Sequence, residues 1–345
     1  MPRAAHGVVV KSSTDARRLR YDRIMAEADH HLQQGAFESA VNHYAAAAEL
    51  ARDGGAMPEM ATALHRAAVG RDRANQLGEA LWFVQQALQI DEAFFGPVHP
   101  AVARDLHSMG VILARQERPA DAVEPLRRSA DISARFESTR ERITTLLALG
   151  QSLHAGQKAD EAVAVFSQVA ELAAQLEGPQ GPHSVRALLS MASAQAAAGQ
   201  LAGAHTTWAE LTRRLAGRGT PPPGIALALA QAWQGLGTLA LRGRGDAVDA
   251  AWMFSFALSL APEDHPVRDA ARVSLSQCGT APSMPDDSTL FVVVVVPEDA
   301  DRFDVASPMG GRFTLARAVL DGPVSVGQTM RLEMAPNQPV QVQRV

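Results

Sequence analysis

The sequence contains few residues whose type and spacing would support catalysis or metal binding. It has no phosphate-binding loop of the GxxxxGK type, no HExxH motif, no GxSxG motif and no DxDxDG calcium loop. The acidic cluster Glu298, Asp299, Asp301 and Asp304 offers oxygen ligands, but its spacing matches no known loop, and a solvated turn is favoured. The neighbours His30–His31 point in different directions on a helix and cannot chelate one ion together. We therefore predict neither a metal site nor a cofactor.

Composition and charge restrict the function further. The 345-residue chain is 47% hydrophobic but only 5% aromatic, and its net charge of -5 argues against nucleic acid as an electrostatic partner. Lys11 and Lys158 are the only lysines, so arginine supplies nearly all of the positive charge. Together with the abundant alanine, this indicates a GC-rich bacterial genome. A single cysteine, Cys278, excludes an internal disulfide and fits a reducing cytosol.

No segment has the pattern of an export signal or a membrane span. Val8–Val10 is too short for the apolar core of a signal peptide. The apolar run Phe291–Val296 is far shorter than the roughly 20 residues that cross a bilayer as a helix. We therefore expect a cytoplasmic protein that does not bind membranes, and we expect it to be a monomer.

The middle of the chain predicts two helices joined by a tight turn. From His99 to Ile132, apolar residues at three- and four-residue intervals indicate a first helix from about Ala101 to Gln116. Pro119 cannot lie inside a helix but suits the first turn of a second one, which runs from about Ala120 to Ala134. Gly110 is small at a point where the two helix backbones must approach closely.

The same helix-pair pattern recurs six times, with four positions in register. Six anchor alanines are separated by 40, 42, 40, 42 and 46 residues, and they are Ala40, Ala80, Ala122, Ala162, Ala204 and Ala250. Four residues after the anchors come Tyr44, Val84, Leu126, Phe166, Trp208 and Phe254, and three later come Ala47, Ala87, Ser129, Val169, Leu211 and Ala257. Twelve residues before the anchors come the small residues Ala28, Ala68, Gly110, Gly150, Ala192 and Thr238. A helix pair cannot bury its apolar faces alone, so these copies must stack.

Each copy resembles a tetratricopeptide repeat, and the lead-in Phe95–Pro100 resembles the longer repeats of kinesin light chains. The resemblance covers about Tyr21 to Pro262. It implies a mainly α fold, a right-handed α-solenoid of six tetratricopeptide-like helix pairs. Several copies lack the glycine that usually begins the turn, and the sixth copy fits least well. A polar-faced helix from His265 to about Gln277 would cap the array.

The ends of the chain follow other patterns. Residues 1–20 lack periodicity and carry several basic side chains, which predicts a disordered tail before a solenoid of residues 21–278. Proline and aspartate in residues 279–288 indicate a linker. Residues 289–345 are rich in valine and alternate in polarity, which predicts four or five strands in a small all-β module, either a barrel or a sandwich.

The resemblance also implies which side chains face the concave surface, where such repeats bind their partners. They lie on the first helix of each pair and include His65, Asp72, Arg73, Arg104, His107, Arg115, Gln151, His154 and Arg186. Arginine and histidine suit an acidic peptide or a C-terminal carboxylate, because guanidinium groups bind carboxylates bidentately. Binding should then strengthen as the pH falls through about 6.5, where free histidine gains charge. The alternative is a solvated helix face that merely carries charge.

We therefore predict a non-enzymatic scaffold or adaptor that holds a partner protein or peptide in the concave groove, with an acidic peptide as one candidate. A second hypothesis is a regulatory protein that responds to a small ligand or peptide and passes the signal through its C-terminal β module. An enzyme located in that module is disfavoured. From Gly279 onward the chain has no histidine, cysteine or lysine, which supply most acid–base and nucleophilic groups.

Overall fold

The computed structural model describes residues 13–215, 222–244 and 247–279, together with the backbones of five strands between residues 290 and 344. Contacts within the chain divide it into two compact units, Met1–Gln157 and Lys158–Val345. The predicted linker and the acidic cluster near Asp301 lie outside the described residues. The division into tail, solenoid, linker and β module stays a prediction.

The first unit consists of seven described helices, each packed against the next along the chain. They are α1 (Ser13–Gln33), α2 (Phe37–Asp53), α3 (Met57–Arg73), α4 (Leu77–Phe95), α5 (Pro100–Arg115), α6 (Pro119–Arg135) and α7 (Thr139–Ala155). The two helices predicted for the middle repeat are α5 and α6, with Pro119 in the first turn of α6 as expected.

Helix α1 begins earlier than the sequence predicts. Residues 13–20 are helical, whereas the sequence predicts a disordered tail up to Arg20. Tyr21 fixes the following turn, because its hydroxyl donates a hydrogen bond to the carbonyl of Glu59 over 2.8 Å. A helix that is already nucleated extends at little cost, and Asp15 in the first turn is favoured by the helix dipole.

The repeated core positions are buried as the pattern requires. All six anchor alanines are fully buried, and the bulky residues four positions later are at most 6% exposed. A methyl group at the anchor lets two helices approach closely, and the bulky side chain fills the space beside it. The prediction of tetratricopeptide-like helix pairs is therefore confirmed at its main packing positions.

Gly110 lies at such a close approach. A Cβ atom added there would lie 2.5 Å from Cγ of Leu126, the bulky residue of the same repeat. In the sixth repeat the equivalent contact is made by Gly237, whose added Cβ would lie 2.7 Å from the Phe254 ring, so the assignment of Thr238 to this position is wrong. The π-helical turn Ala240–Arg244 follows, and such a turn accommodates an extra residue.

The turns explain how some repeats manage without glycine. Five residues before an anchor, the backbone adopts a left-handed conformation with φ between 59° and 77° in five repeats, at Gly35, Asn75, Glu117, Gln157 and Gly199. Three of these residues carry a Cβ atom, which makes the conformation costly. Packing of the flanking helices therefore imposes the turn even where the local sequence does not favour it.

The second unit has six described helices and one antiparallel sheet. The helices are α8 (Ala159–Glu177), α9 (Pro182–Ala197), α10 (Leu201–Leu215), α11 (Pro223–Leu239), α12 (Ala247–Leu260) and α13 (Pro266–Gln277). Trp233 of α11 is fully buried and its ring lies 5.1 Å from that of Phe256. Pro223–Arg242 is long and apolar enough to cross a membrane, but Leu229 and Trp233 within it belong to the core of this unit.

Five strands form the sheet of the second unit. They are β1 (Leu290–Val295), β2 (Arg302–Ala306), β3 (Arg312–Ala316), β4 (Thr329–Glu333) and β5 (Gln341–Arg344), in the spatial order β3-β2-β1-β4-β5. All neighbouring strands are antiparallel. The valine-rich strand β1 occupies the centre, where both of its edges are paired. A barrel or sandwich for residues 289–345 stays a prediction.

The Gly110 contact gives a test of the helix packing. Gly110→Ala should destabilise the first unit by about 1–3 kcal/mol, because the new methyl group would overlap Leu126. Gly78→Ala is the matched control, since Gly78 lies in helix α4 with no atom within 4 Å of an added Cβ, and it should stabilise by about 0.5–1 kcal/mol. Thermal unfolding followed by circular dichroism measures both. Equal melting temperatures for the two variants would contradict the close approach.

The left-handed turns give a second test. Glu117→Gly should stabilise the protein by about 0.5–1 kcal/mol, because glycine adopts φ near 59° without the steric cost of a Cβ atom. Glu117→Ala removes the carboxylate but keeps the Cβ atom, and it should bring no such gain. Urea denaturation of the three proteins separates the two effects. A gain from alanine equal to that from glycine would show that charge, and not backbone strain, limits this turn.

Candidate functional site

The residues predicted to contact a partner lie on first helices of their pairs, and five of them line two pockets between α5 and α7. The histidine pocket, about 310 Å³, contains His65, Arg104 and His107 together with Pro100, Ala103, Ser108, Ser129, Ile132, Ser133, Phe136, Ser138, Glu141, Thr144 and Thr145. The glutamine pocket, about 510 Å³, contains Arg115 and Gln151 with Val111, Ala114, Glu117, Pro119, Ala148, Ser152 and Ala155. Both pockets belong to the first unit.

Arg104 connects the histidine pocket to two buried carboxyl groups. Its Nη2 donates a hydrogen bond to Oδ2 of Asp91 over 3.1 Å, and its Nε donates to Oδ1 of Asp105 over 3.2 Å. The two aspartate side chains are 1% and 0% exposed, whereas that of Arg104 is 38% exposed. Nδ1 of His65 lies 2.8 Å from the same Oδ1 of Asp105. One guanidinium therefore lies between the pocket and a buried acidic pair.

The two carboxyl groups favour an extra proton. Burial raises the pKa of Asp91 to about 7, and the negative charge of Asp105 and a hydrogen bond between the two side chains act in the same direction, against the opposing effect of Arg104. Oδ1 of Asp91 and Oδ2 of Asp105 are buried without a donor among the residues that the structure describes. A proton shared between the carboxyl groups would satisfy both oxygens.

His107 lies in an environment that disfavours its charged form. Its Nδ1 lies 3.0 Å from Oγ1 of Thr145, and burial lowers its pKa, with a smaller contribution from His65. The imidazole is therefore neutral at physiological pH. The expectation that binding strengthens as the histidines gain charge near pH 6.5 stays a prediction, but burial disfavours the charged ring at His107.

In the glutamine pocket Arg115 also has partners within the chain. Its guanidinium pairs with the carboxylate of Asp72 and donates to the Asp72 carbonyl over 3.0 Å, and its Nη2 donates to Oδ1 of Asn75 over 3.2 Å. These bonds tie the end of α5 to the end of α3. Gln151 is exposed on α7 and offers an amide to the pocket.

The remaining predicted residues lie apart from the two pockets. Arg73 is exposed at the end of α3, and no carboxylate lies within ion-pair distance of it in the described part of the chain. His154 is partly buried on α7, and its Nδ1 has no partner among the described residues. Arg186 is exposed on α9 of the second unit. The structure thus groups His65 with two α5 residues and leaves these three separate.

Sequence reasoning missed the two buried aspartates. Asp91 follows the core residue Ala87 by four positions, so one helix face places an acid where an apolar residue is expected. That conflict is a usable signal, since buried carboxylates occur mainly where they are paired.

Among the described residues no three His, Cys, Asp or Glu side chains are grouped to hold a metal ion. Cys278, whose thiol pKa is raised by burial, contacts the carbonyl of Ser274.

Comparison with known proteins supports the fold assignment. Residues 59–135 match the family model of the tetratricopeptide repeat. No curated protein gives a significant match. A crystal structure of nearly identical tetratricopeptide-like repeats, attributed to a kinesin light chain of Podosopora anserina and carrying one substitution, is 21% identical with a TM-score of 0.50, covering 56% of this chain and 92% of that chain. The prediction of repeats similar to those of kinesin light chains is confirmed.

Two further structures are similar at a lower level. A second structure of the Podosopora anserina repeats is 20% identical with a TM-score of 0.48, and it aligns with 59% of this chain and 100% of that chain. The apo form of RapI is 13% identical with a TM-score of 0.49, and it aligns with 75% of this chain and 99% of that chain. At these identities the comparisons concern the fold only.

Removal of Arg104 tests whether the buried acidic pair depends on it. Arg104→Ala should destabilise the first unit by about 2–4 kcal/mol at pH 8, because two buried carboxyl groups lose their cation. Arg115→Ala is the control, since its partner Asp72 is partly exposed, and it should cost about 1 kcal/mol or less. Urea unfolding measured by circular dichroism compares them. Equal losses would mean that the pair is stable without the guanidinium.

Proposed function

We propose that the chain is a non-enzymatic interaction protein whose first unit binds an extended segment of a partner protein. The observation that carries this proposal is the position of two pockets between the same helices, α5 and α7. Arg104 and Arg115 mark the two pockets along α5 and are eleven residues apart, which corresponds to about 16 Å of helix. An extended peptide of about five residues covers that distance.

The lining of the pockets suits the backbone and one acidic side chain of such a peptide. Ser108, Ser138 and Thr144 offer hydroxyl groups in the histidine pocket, where a peptide without secondary structure needs hydrogen-bond partners. Arg104 uses only Nε and Nη2 in its described contacts. Its Nη1 has no partner in the described part of the chain and can donate to a carboxylate. This free donor supports an acidic residue in the partner.

The composition of the chain supports further proposals about its location and its partners. A net charge of -5 supports a protein that acts without nucleic acid, and the single cysteine supports a cytoplasmic location. We further propose that it acts as a monomer and without a membrane. The second unit would then either provide additional surface that contacts the partner or change its conformation when the partner binds to the first unit.

A pair of tryptophan variants tests the groove. Ala148→Trp should fill the glutamine pocket and reduce capture of the partner at least tenfold, because Ala148 lines that pocket. Glu124→Trp adds the same side chain to an exposed position of α6 and should leave capture unchanged. The full chain serves as bait for affinity capture, the retained proteins are identified by mass spectrometry, and circular dichroism checks that both variants are folded.

The outcomes separate the hypotheses. A partner retained by both variants would show that the groove between α5 and α7 is not its binding site. A small molecule that raises the melting temperature of the wild type but not of Ala148→Trp, with no protein retained, would favour the regulator over the scaffold.

A further inference from the structure

Behind Arg104, which lines the histidine pocket, lie two buried carboxyl groups that peptide binding by itself does not require. Asp91 at the end of α4 and Asp105 on α5 both accept hydrogen bonds from Arg104. The acidic pair is contacted by His65 from α3 and Arg104 from α5. His107 of α5 interacts with His65 and contacts Thr145, and Arg128 of α6 is paired with Glu92 over 2.7 Å. A purely structural contact between helices would be simpler with apolar residues at these positions.

The charge beside the pocket depends on one proton. When the acidic pair holds a proton, one carboxylate balances the single positive charge of Arg104. When the proton is lost, two carboxylates face that guanidinium, and these three side chains together carry a net negative charge. A partner carboxylate that approaches Arg104 is then repelled, and the repulsion is strong because the acidic pair is buried and poorly screened.

We propose that a carboxylate of the partner binds Arg104 only while the Asp91–Asp105 pair holds a proton, so that binding in the histidine pocket is coupled to the uptake of one proton. This inference rests on the proposed function and specifies the chemistry and regulation of the same groove. The exposed part of Arg104 would contact the partner, and its buried contacts with the two aspartates would transmit their protonation state.

The sign and the range of the pH dependence follow from the environment of Asp91. Its pKa is raised to about 7 by burial and by Asp105, so the proton is present at pH 6 and absent at pH 8. The same proton favours the folded state, and that stabilisation is lost as the pH rises through about 7. For complete coupling to one group with this pKa, affinity should fall about tenfold between pH 6 and pH 8. Burial lowers the pKa of His107, which favours its neutral form in this range.

The first experiment measures the proton without a ligand. Carbon-13 NMR of aspartate carboxyl groups in the full chain should show at least one resonance that titrates near pH 7 and is missing in Asp91→Asn. Asp121→Asn is the control, because Asp121 forms an exposed ion pair with Arg118, and it should retain that resonance. If every aspartate carboxyl group titrates below pH 5.5, the shared proton does not exist and the inference is overturned.

The second experiment measures coupling to binding. An N-acetylated hexaglutamate peptide, whose remaining ionisable groups are carboxylates at both pH values, is titrated into nitrogen-15-labelled full chain at pH 6 and pH 8 at equal ionic strength. The wild type and Asp121→Asn should bind about tenfold more tightly at pH 6. Asp91→Asn imitates the protonated acid and should bind with the pH 6 affinity at both values. Asp105→Asn provides the same comparison if the first variant does not fold.

The results distinguish the inference from the proposed function. Shifts of α5 and α7 resonances with equal affinity at both pH values would overturn the proton coupling and leave the peptide groove in place. A tenfold pH dependence that persists in Asp91→Asn would assign the effect to another group and also overturn the coupling. If the peptide shifts no resonance of these helices at either pH, the acidic-peptide groove and the coupling are both wrong.

Discussion

The structure depends on the close approach of helices at positions that carry little or no side chain. Fully buried alanines recur in six helix pairs, and at Gly110 even one methyl group would overlap Leu126. Interiors are packed as densely as organic crystals, so a small residue on one helix requires a large one nearby. The bulky residues four positions after the anchors meet that requirement in every repeat. This packing fixes the helix positions firmly enough to impose left-handed turns on Asn75, Glu117 and Gln157.

The same rigidity makes a polar site possible within a repeat. Asp91, Arg104 and Asp105 come from two consecutive helices, and their hydrogen bonds require those helices to keep their spacing. Buried charges are costly unless they are paired, which explains why the guanidinium lies between the carboxyl groups and why Asp91 favours its protonated form. The polar residues therefore use helix positions that the alanine packing already fixes. In this way a scaffold of small apolar contacts supports a pocket with titratable groups.

The lining of the two pockets differs from a simple basic surface. Arginines that could recognise an acidic partner already have carboxylate partners, Asp91 and Asp105 for Arg104 and Asp72 for Arg115. Exposed ion pairs such as the second contribute little to stability and can exchange with a ligand. The buried pair cannot exchange in the same way, because its carboxyl groups would be left unpaired. Recognition in the two pockets would therefore differ in its dependence on salt and on pH.

The sequence by itself determined the repeat, because spacing along a helix fixes which residues share its buried face. The resemblance to tetratricopeptide repeats implied which first-helix residues would face a partner, and the anchor alanines, the bulky positions and helices α5 and α6 were predictable from periodicity. The start of α1 and the register of the sixth repeat were not, since they depend on the Tyr21 contact and on a π-helical turn. Only the tertiary structure brought Asp91 close to Arg104 and Asp105, because Asp91 lies on α4 and the other two residues lie on α5. Their burial and charges together, and not the type of any one residue, decide which group gains or loses a proton near neutral pH.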